Sequence, residues 1–220
     1  LFAQVARAVL AVGNERLERT YQTTFWFPLS QRPRSVVEEA ALALARRLPR
    51  AVRAHVTGVE WWLSRMRTSD VPVDFHRDHD IRRARRGRGV AHPVLSSVLF
   101  LNRARGGLLA VTADPPDPRR PSCAPARLDR MDLVRPSPNR FAAFDGRLTH
   151  GVLDHRNQVP DRARPKASER ARGPLRLAII LNWWTSRPWS VPRFADLRAY
   201  PPLALAAPSG LGGARASRVM

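Results

Sequence analysis

From Gly58 onward the chain consists of short segments rich in β-branched and aromatic residues, separated by Pro, Gly and charged residues. Segments of this kind are typical of the strands of a β-sandwich or β-barrel. The runs that match the pattern are Val59–Met66, Val73–Asp78, Val94–Leu101, Leu108–Thr112, Arg140–Phe144, His150–Leu153 and Leu175–Trp183. The sequence therefore predicts a mainly β domain.

The segment 94–101 (VLSSVLFL) is apolar on both faces apart from two serines, which indicates a central strand. Gly106 and Gly107 supply a turn into the next strand. The stretches 114–138 and 154–174 are rich in Pro, Arg and Asp and have no apolar period. We expect loops in both stretches.

Two helices are predicted before the β-rich region. Residues 1–19 carry apolar positions at near-helical spacing. Ser35 can cap the free amides of a second helix while Glu38 reaches back to the cap, and an apolar pattern follows. This pattern predicts a helix over 36–48.

At 220 residues the chain can bury one sizeable core. We expect an N-terminal helical layer over residues 1–58, a β domain over 59–190 and a Pro/Gly-rich tail over 191–220. No apolar run approaches the roughly 20 residues needed to cross a bilayer, so we expect a soluble protein without a membrane partner. The single cysteine, Cys123, excludes an internal disulfide and fits a reducing intracellular compartment.

The net charge of +20 would ordinarily indicate a phosphate-rich partner such as nucleic acid. However, Lys166 is the only lysine among 38 basic residues, which indicates a compositional bias toward arginine. We therefore interpret most of the arginines as a solvated surface. The densest segment, 82–88 (RRARRGR), is expected in a loop, where it could steer an anionic substrate or remain a charged insertion.

The run 74–78 (DFHRD), followed by His150 72 residues after Asp78, supplies two imidazoles and one carboxylate. In an extended strand His76 and Asp78 point to the same side while Arg77 faces away. Two histidines and one carboxylate bound to one face of a ferrous ion leave its other positions open for a co-substrate and oxygen. The pattern therefore indicates a non-haem iron site.

Other interpretations of these residues remain open. A structural zinc site would need four protein ligands, usually including cysteines, which this chain lacks. His76 and Asp78 could also be polar groups on a surface strand. The spacing of Asp74, His76, Asp78 and His79 is similar to a metallo-β-lactamase motif, although the surrounding sequence is not of the alternating α/β type.

Four segments, in chain order, resemble the 2-oxoglutarate- and Fe(II)-dependent dioxygenases, particularly their prolyl-4-hydroxylase-like branch. These are FHRDHD, HPVLSSVLFLNRARGG, FAAFDGRLTHGV and RLAIILNWW, and the resemblance covers roughly residues 59–190. It implies a double-stranded β-helix, which is a cupin-like jelly-roll barrel. It also implies hydroxylation of a substrate, with 2-oxoglutarate and O2 converted to succinate and CO2.

Carried over to this chain, the resemblance makes His76, Asp78 and His150 the iron ligands. It also makes Arg176 the residue that binds the distal carboxylate of 2-oxoglutarate, a role that suits a guanidinium group. Between His150 and Arg176 lie 25 residues, more than the family usually has, so Arg172 is an alternative. The substrate could be a protein side chain, a nucleobase or a small metabolite.

A further hypothesis is a non-catalytic protein of the same fold whose basic surface binds nucleic acid or an acidic partner. It predicts salt-dependent binding that survives loss of His76 and Asp78. No signature of an RNA-recognition or helix-turn-helix domain is present in the sequence.

Overall fold

The computed structural model describes residues 1–13, 23–67, 73–159, 175–197 and 200–205. These residues form two antiparallel β-sheets, with helices near the N terminus. The helices are α1 (Phe2–Ala11), α2 (Val36–Ala45), α3 (Arg50–Arg53) and α4 (Ile81–Arg85). The strands are β1 (Phe25–Pro28), β2 (Gly58–Arg67), β3 (Leu95–Phe100), β4 (Leu109–Thr112), β5 (Asp132–Val134), β6 (Phe141–Asp145), β7 (Thr149–Val152) and β8 (Leu175–Trp184). Short 3-10 helices span Pro121–Cys123, Leu128–Arg130, Phe194–Asp196 and Pro201–Leu203.

The larger sheet has five strands in the order β1-β2-β8-β3-β6. Its central strand, β8, pairs with β2 along its whole length, from Gly58 opposite Trp184 to Arg67 opposite Leu175. On its other side β8 pairs with β3, from Leu95 opposite Trp183 onward. Side chains on β2, β8 and β3 are therefore held in fixed rows across the sheet.

One face of the larger sheet packs against the N-terminal helices. On β8 this face carries Leu177, Ile179, Leu181 and Trp183, all buried, as expected from the period of two in a strand. They belong to one apolar cluster with residues of α1 and α2, including Val5, Val9, Val37 and Ala41. Burial of this cluster holds the helical layer on the sheet.

The opposite face of the larger sheet packs against a three-stranded sheet in the order β5-β4-β7. Phe100 of β3 and Ala178 of β8 join Leu109 and Val111 of β4 in one buried cluster. The molecule thus has a helical layer, a five-stranded sheet and a three-stranded sheet. A cavity lies between the two sheets and is lined by residues of both.

The predicted strands are present within one or two residues at each end, with one exception. The run Val73–Asp78 was predicted to be a strand, but it makes a single bridge, between His76 and His150. Two short strands, β1 and β5, were not predicted. The turn at Gly106 and Gly107 is confirmed, with φ values of 71° and 66° that favour glycine.

The predicted helix start at Ser35 is confirmed. The Ser35 hydroxyl accepts a hydrogen bond from the Glu38 amide (3.2 Å), and Glu38 accepts one from the Ser35 amide (3.2 Å). Helix α2 ends at Ala45 rather than at residue 48. In the N-terminal segment α1 ends at Ala11, and residues 14–19 of the predicted helix lie outside the described residues.

The arginine-rich segment 82–88 was expected to be a loop, and this expectation was wrong for its first half. Residues 81–85 form α4, because Asp80 caps the helix by accepting a hydrogen bond from the Arg83 amide (2.9 Å). No described helix is long and apolar enough to span a membrane. The domain boundaries at residues 58 and 190 stay a prediction.

Candidate metal centre

His76 and His150 are brought together by the backbone of the smaller sheet. His150 lies in β7, and its amide donates to the His76 carbonyl at 2.9 Å. The His76 amide donates back to the His150 carbonyl at 3.0 Å. This reciprocal pair places the two imidazole rings 4.4 Å apart, measured between their centroids.

Asp78 lies between the two imidazoles. Its Oδ1 is 3.4 Å from His76 Nε2, and its Oδ2 is 3.3 Å from His150 Nε2. One potential ligand atom from each of the three residues lies within 4.8 Å of the other two. The side chains of Asp78 and His150 are each 11% exposed, while that of His76 is 42% exposed, so the cluster opens on the His76 side.

The second ring nitrogen of each histidine faces a backbone carbonyl. His76 Nδ1 is 2.7 Å from the Asp74 carbonyl oxygen, and His150 Nδ1 is 3.2 Å from that of Leu148. A carbonyl oxygen only accepts, so each Nδ1 must carry a proton. In the neutral imidazoles, Nε2 then has a free lone pair directed at the cluster. This donor set fits a divalent transition metal.

Asp78 is fixed by two residues that the sequence did not single out for this role. The Ser96 hydroxyl, on β3, donates to Asp78 Oδ2 at 2.7 Å. His92 Nδ1 lies 2.5 Å from the Asp78 carbonyl oxygen. Ser96 is almost fully buried, at 1% exposure, so this hydrogen bond is shielded from water.

The surroundings of the cluster shift the pKa values of Asp78 and His76. Burial alone would raise the pKa of Asp78, but the charges of His150 and His76 and their hydrogen bonds hold that pKa well below its usual range. Burial would lower the pKa of His76, yet the hydrogen bond and charge of Asp78 outweigh burial and raise it. Asp78 is therefore a carboxylate at neutral pH, as a metal ligand must be.

Arg176 lines the same cavity as the His76, Asp78 and His150 cluster. The cavity holds about 180 Å³ between the two sheets. Arg176 is 1% exposed, its Nε donates to the Gly107 carbonyl at 3.1 Å, and its guanidinium lies 5.0 Å from the centre of the Phe100 ring. A buried cation at the wall of a cavity is suited to binding an anion there. The alternative, Arg172, lies outside the described residues.

Apolar side chains form much of the remaining cavity wall. Val98 of β3, Leu109 of β4 and Ile180 of β8 contribute to the lining from both sheets. Ser64 and Trp62 of β2 also line the cavity, and no sequence pattern had indicated Ser64. Their side-chain direction follows from the register of β2 on β8.

The neighbouring polar residues of the motif have other roles. His79 is exposed, and its Nδ1 contacts the Arg77 carbonyl at 3.0 Å. Asp80 caps α4 and accepts a second hydrogen bond from the Trp189 amide at 2.8 Å. Asp74 is exposed and is not in the cluster, which does not favour a metallo-β-lactamase-like arrangement.

A second cleft, of about 470 Å³, is lined in part by Asp80 and His92. Trp184 and Trp189 contribute to its lining. The guanidinium groups of Arg86 and Arg88 lie 4.5 and 4.9 Å from the centre of the Trp189 ring. Part of the arginine-rich segment is thus docked on an aromatic side chain beside the metal centre.

No protein-family model matches the chain, and no curated protein matches it. Among solved structures, it is similar to a Pseudomonas putida prolyl-4-hydroxylase, with 17% identity over 84% of this chain and 83% of that one, and a TM-score of 0.46. It is also similar to EctD from S. alaskensis, with 18% identity, coverage of 92% and 78%, and a TM-score of 0.43. A third match is an N-substituted L-amino acid dioxygenase from Burkholderia ambifaria in complex with alpha-KG, with 16% identity, coverage of 82% and 90%, and a TM-score of 0.33. All three TM-scores lie below 0.5, and all three identities lie below 25%.

Proposed function

We propose that this chain is an Fe(II)- and 2-oxoglutarate-dependent dioxygenase that hydroxylates its substrate. The observation that carries the proposal is the sharing of one cavity by two groups. These are the His76, Asp78 and His150 cluster and the buried cation Arg176. A double-stranded β-helix over residues 59–190 is the fold that we propose for this domain.

His76 and His150 would each supply Nε2 to the metal, and Asp78 would supply one carboxylate oxygen. Two neutral imidazoles and one carboxylate leave the metal with a net positive charge and with positions for other ligands. When bound, Fe(II) supplies the oxidative chemistry, with 2-oxoglutarate and O2 consumed and succinate and CO2 released. The polypeptide itself holds the reactants and limits the access of water.

Arg176 would hold the distal carboxylate of 2-oxoglutarate. The Gly107 carbonyl fixes the guanidinium through Nε, and the Phe100 ring lies beside it. A planar guanidinium can make two parallel hydrogen bonds to a carboxylate, and it remains charged when buried. A co-substrate with an anionic group at each end would therefore bind in one orientation.

The proposal is tested by anaerobic titration of purified protein with Fe(II) and then 2-oxoglutarate, followed by visible absorption. We expect a saturable band at one equivalent of iron in the native chain. His76→Ala, Asp78→Ala and His150→Ala should each abolish it, because each removes one of three ligands.

His79→Ala is the matched control, because it removes an imidazole three residues from His76 that lies outside the cluster. We expect this variant to keep the band and its iron stoichiometry. If folded native protein, prepared free of metal, gave no band after Fe(II) and 2-oxoglutarate were added, the assignment would fail. It would also fail if His79→Ala lost the band as completely as His76→Ala.

A further inference from the structure

A third cleft, of about 590 Å³, is lined by three loops. These are the connection between β3 and β4, the connection between β5 and β6, and the segment that follows β7. The cleft is lined by four arginines, Arg103, Arg105, Arg135 and Arg140. None of its described lining residues is acidic, whereas Asp78 lines the metal cavity and Asp80 lines the second cleft. The third cleft therefore has a positive potential that favours anions.

The arginines of this cleft have few partners within the part of the chain that the structure describes. All four are exposed, and none of them makes an ion pair with a described residue. Arg140 Nη1 donates to the Arg135 carbonyl at 3.0 Å, which fixes one guanidinium at the rim. Each guanidinium carries five N–H donors in a planar fork. Most of these donors are thus free to bind a ligand.

The carboxylate closest to the cleft in the sequence, that of Asp154, is already used. Its Oδ1 accepts hydrogen bonds from the amides of Arg156 and Gln158, both at 2.8 Å. These bonds hold the carboxylate within its own turn. Among the described residues, no arginine of the cleft pairs with it. The positive charge of the cleft is therefore not neutralised by this neighbour.

Two of the three loops are in direct backbone contact. The Gly107 amide donates to the Asp154 carbonyl at 3.0 Å. A Cβ atom at Gly106 would lie 2.4 Å from His155 Cα, and the φ of Gly106 is 71°, so this position requires glycine. One wall of the cleft is consequently fixed by the backbone before any ligand binds.

The third loop is tied to the larger sheet. The Asn139 amide donates to the carbonyl of Phe100, the last residue of β3, at 3.0 Å. Two buried residues, Ala104 and Pro136, add apolar surface to the lining. The volume of the cleft lies in the range of small-molecule sites, about 300–1,000 Å³. Walls that are already ordered lower the entropic cost of binding.

We propose that this third cleft binds a small ligand with two or more linked phosphate groups. A guanidinium makes two parallel hydrogen bonds to a phosphate and stays charged, and linked phosphates place several negative charges within a small volume. Enclosure by three loops favours a compact ligand over an extended nucleic-acid strand. The proposal goes beyond the proposed function and does not rest on it, because neither the candidate iron ligands nor Arg176 line this cleft.

The test is a calorimetric titration of the full, metal-free chain with tripolyphosphate at constant ionic strength. We expect one saturable site. Combining Arg103→Gln with Arg135→Gln should weaken binding at least about tenfold, because each change removes a charged donor from a different loop. Both arginines are exposed, so the unfolding temperature of the ligand-free double variant should stay native.

The matched control combines Arg82→Gln with Arg85→Gln. It lowers the net charge by the same amount, at two exposed arginines that line none of the three clefts. We expect this variant to bind tripolyphosphate as the native chain does. Amide NMR signals locate the ligand: those of Gly106 and Asn157, which line the cleft, should shift on binding.

Four outcomes would overturn the proposal. Absence of a saturable site would do so directly. Equal loss of affinity in the two double variants would show diffuse attraction to the net charge of +20. Loss of binding in Arg176→Gln would place the anion in the metal cavity. A single-stranded oligonucleotide that binds more tightly than tripolyphosphate, and that loses affinity only in the Arg103 and Arg135 double variant, would assign the cleft to a nucleic-acid backbone.

The outcome is independent of the proposed function. His76→Ala should bind tripolyphosphate as the native chain does, because His76 does not line the third cleft. Binding at the cleft in a protein that gives no band with Fe(II) and 2-oxoglutarate would retain the phosphate site and remove the dioxygenase assignment. A band without tripolyphosphate binding would retain the dioxygenase assignment and overturn the phosphate site.

Discussion

At the scale of single residues, the sequence indicated the three candidate ligands but not Ser96, which donates a hydrogen bond to one of them. His76, Asp78 and His150 could be selected because each is a metal-ligating type in a recognisable local motif. Ser96 could not, because Asp78 is 18 residues away in the chain and the position of Ser96 depends on the register of β3 on β8. The sequence of an apolar run does not show which distant residue its serine contacts.

Ser96→Ala should weaken iron binding by about 10- to 100-fold, since the lost hydrogen bond holds a ligating carboxylate in place. The measurement is a competition titration of Fe(II) against a chelator of known affinity. Ser64→Ala is the control, because Ser64 lines the same cavity without contacting Asp78 through a described hydrogen bond. Equal affinities for the two variants would contradict the positioning role of Ser96.

Glu60→Gln should change how the stability of metal-free protein depends on pH. The folded pKa of Glu60 is about 7 and its ordinary value is 4.5, so the folded state resists ionisation. Below pH 4.5 the carboxyl is protonated in both states and carries no penalty. As pH rises from 4.5 through 7, the native chain should lose about 3 kcal/mol relative to Glu60→Gln.

Chemical denaturation of both proteins at pH 4 and pH 8 measures this difference in the free energy of unfolding. The contributions of Asp78 and His76 are present in both proteins and cancel in the comparison. Parallel pH profiles for the native chain and Glu60→Gln would show that Glu60 ionises normally in the folded state.

At the scale of elements, the strands and the helix that have strong local sequence patterns were predicted correctly. The elements that depend on tertiary contacts were not. Strands β2, β3 and β8 carry long β-rich runs, and α2 carries a capping box. Strand β1 (FWFP) contains a proline and β5 has three residues, so neither has enough local pattern. The segment before Asp78 has a strand-like sequence but finds only one bridging partner.

Ser35→Ala should lower the free energy of unfolding by about 1 kcal/mol, because it removes the cap of α2. The Ser35 backbone also bridges Ala204, so the change acts where the C-terminal part meets the helical layer. Ser30→Ala is the control at an exposed serine, with an expected change within about 0.5 kcal/mol. Equal unfolding midpoints for the two variants would contradict the capping role.

At the scale of the whole molecule, the net charge of +20 should favour binding of nucleic acid, and this binding should not depend on the candidate metal centre. We expect the chain to bind a labelled single-stranded oligonucleotide weakly, with an affinity that falls steeply as salt increases. Replacing Arg82 and Arg85 with Gln should reduce the salt slope by roughly one for each arginine that contacts a phosphate. Fluorescence anisotropy measures both effects.

Asp78→Ala is the control for this charge effect, and it should bind the oligonucleotide as the native chain does. Salt-insensitive binding that is lost in Asp78→Ala would contradict the independence of the surface and the metal centre. It would also favour nucleic acid as a ligand of the metal centre itself.

We propose that the His76, Asp78 and His150 cluster and Arg176 bind the two ends of one co-substrate. The most direct measurement compares the binding of 2-oxoglutarate and pyruvate to the iron-loaded chain under anaerobic conditions, in the native protein and in Arg176→Gln. Pyruvate has the same 2-oxo acid end but no distal carboxylate. We predict that the native chain prefers 2-oxoglutarate by at least about 100-fold, as expected for loss of a buried charged partner, and that Arg176→Gln removes most of this preference. Equal binding of both acids by the native chain, or a preference for 2-oxoglutarate that survives in Arg176→Gln, would show that Arg176 does not bind the distal carboxylate.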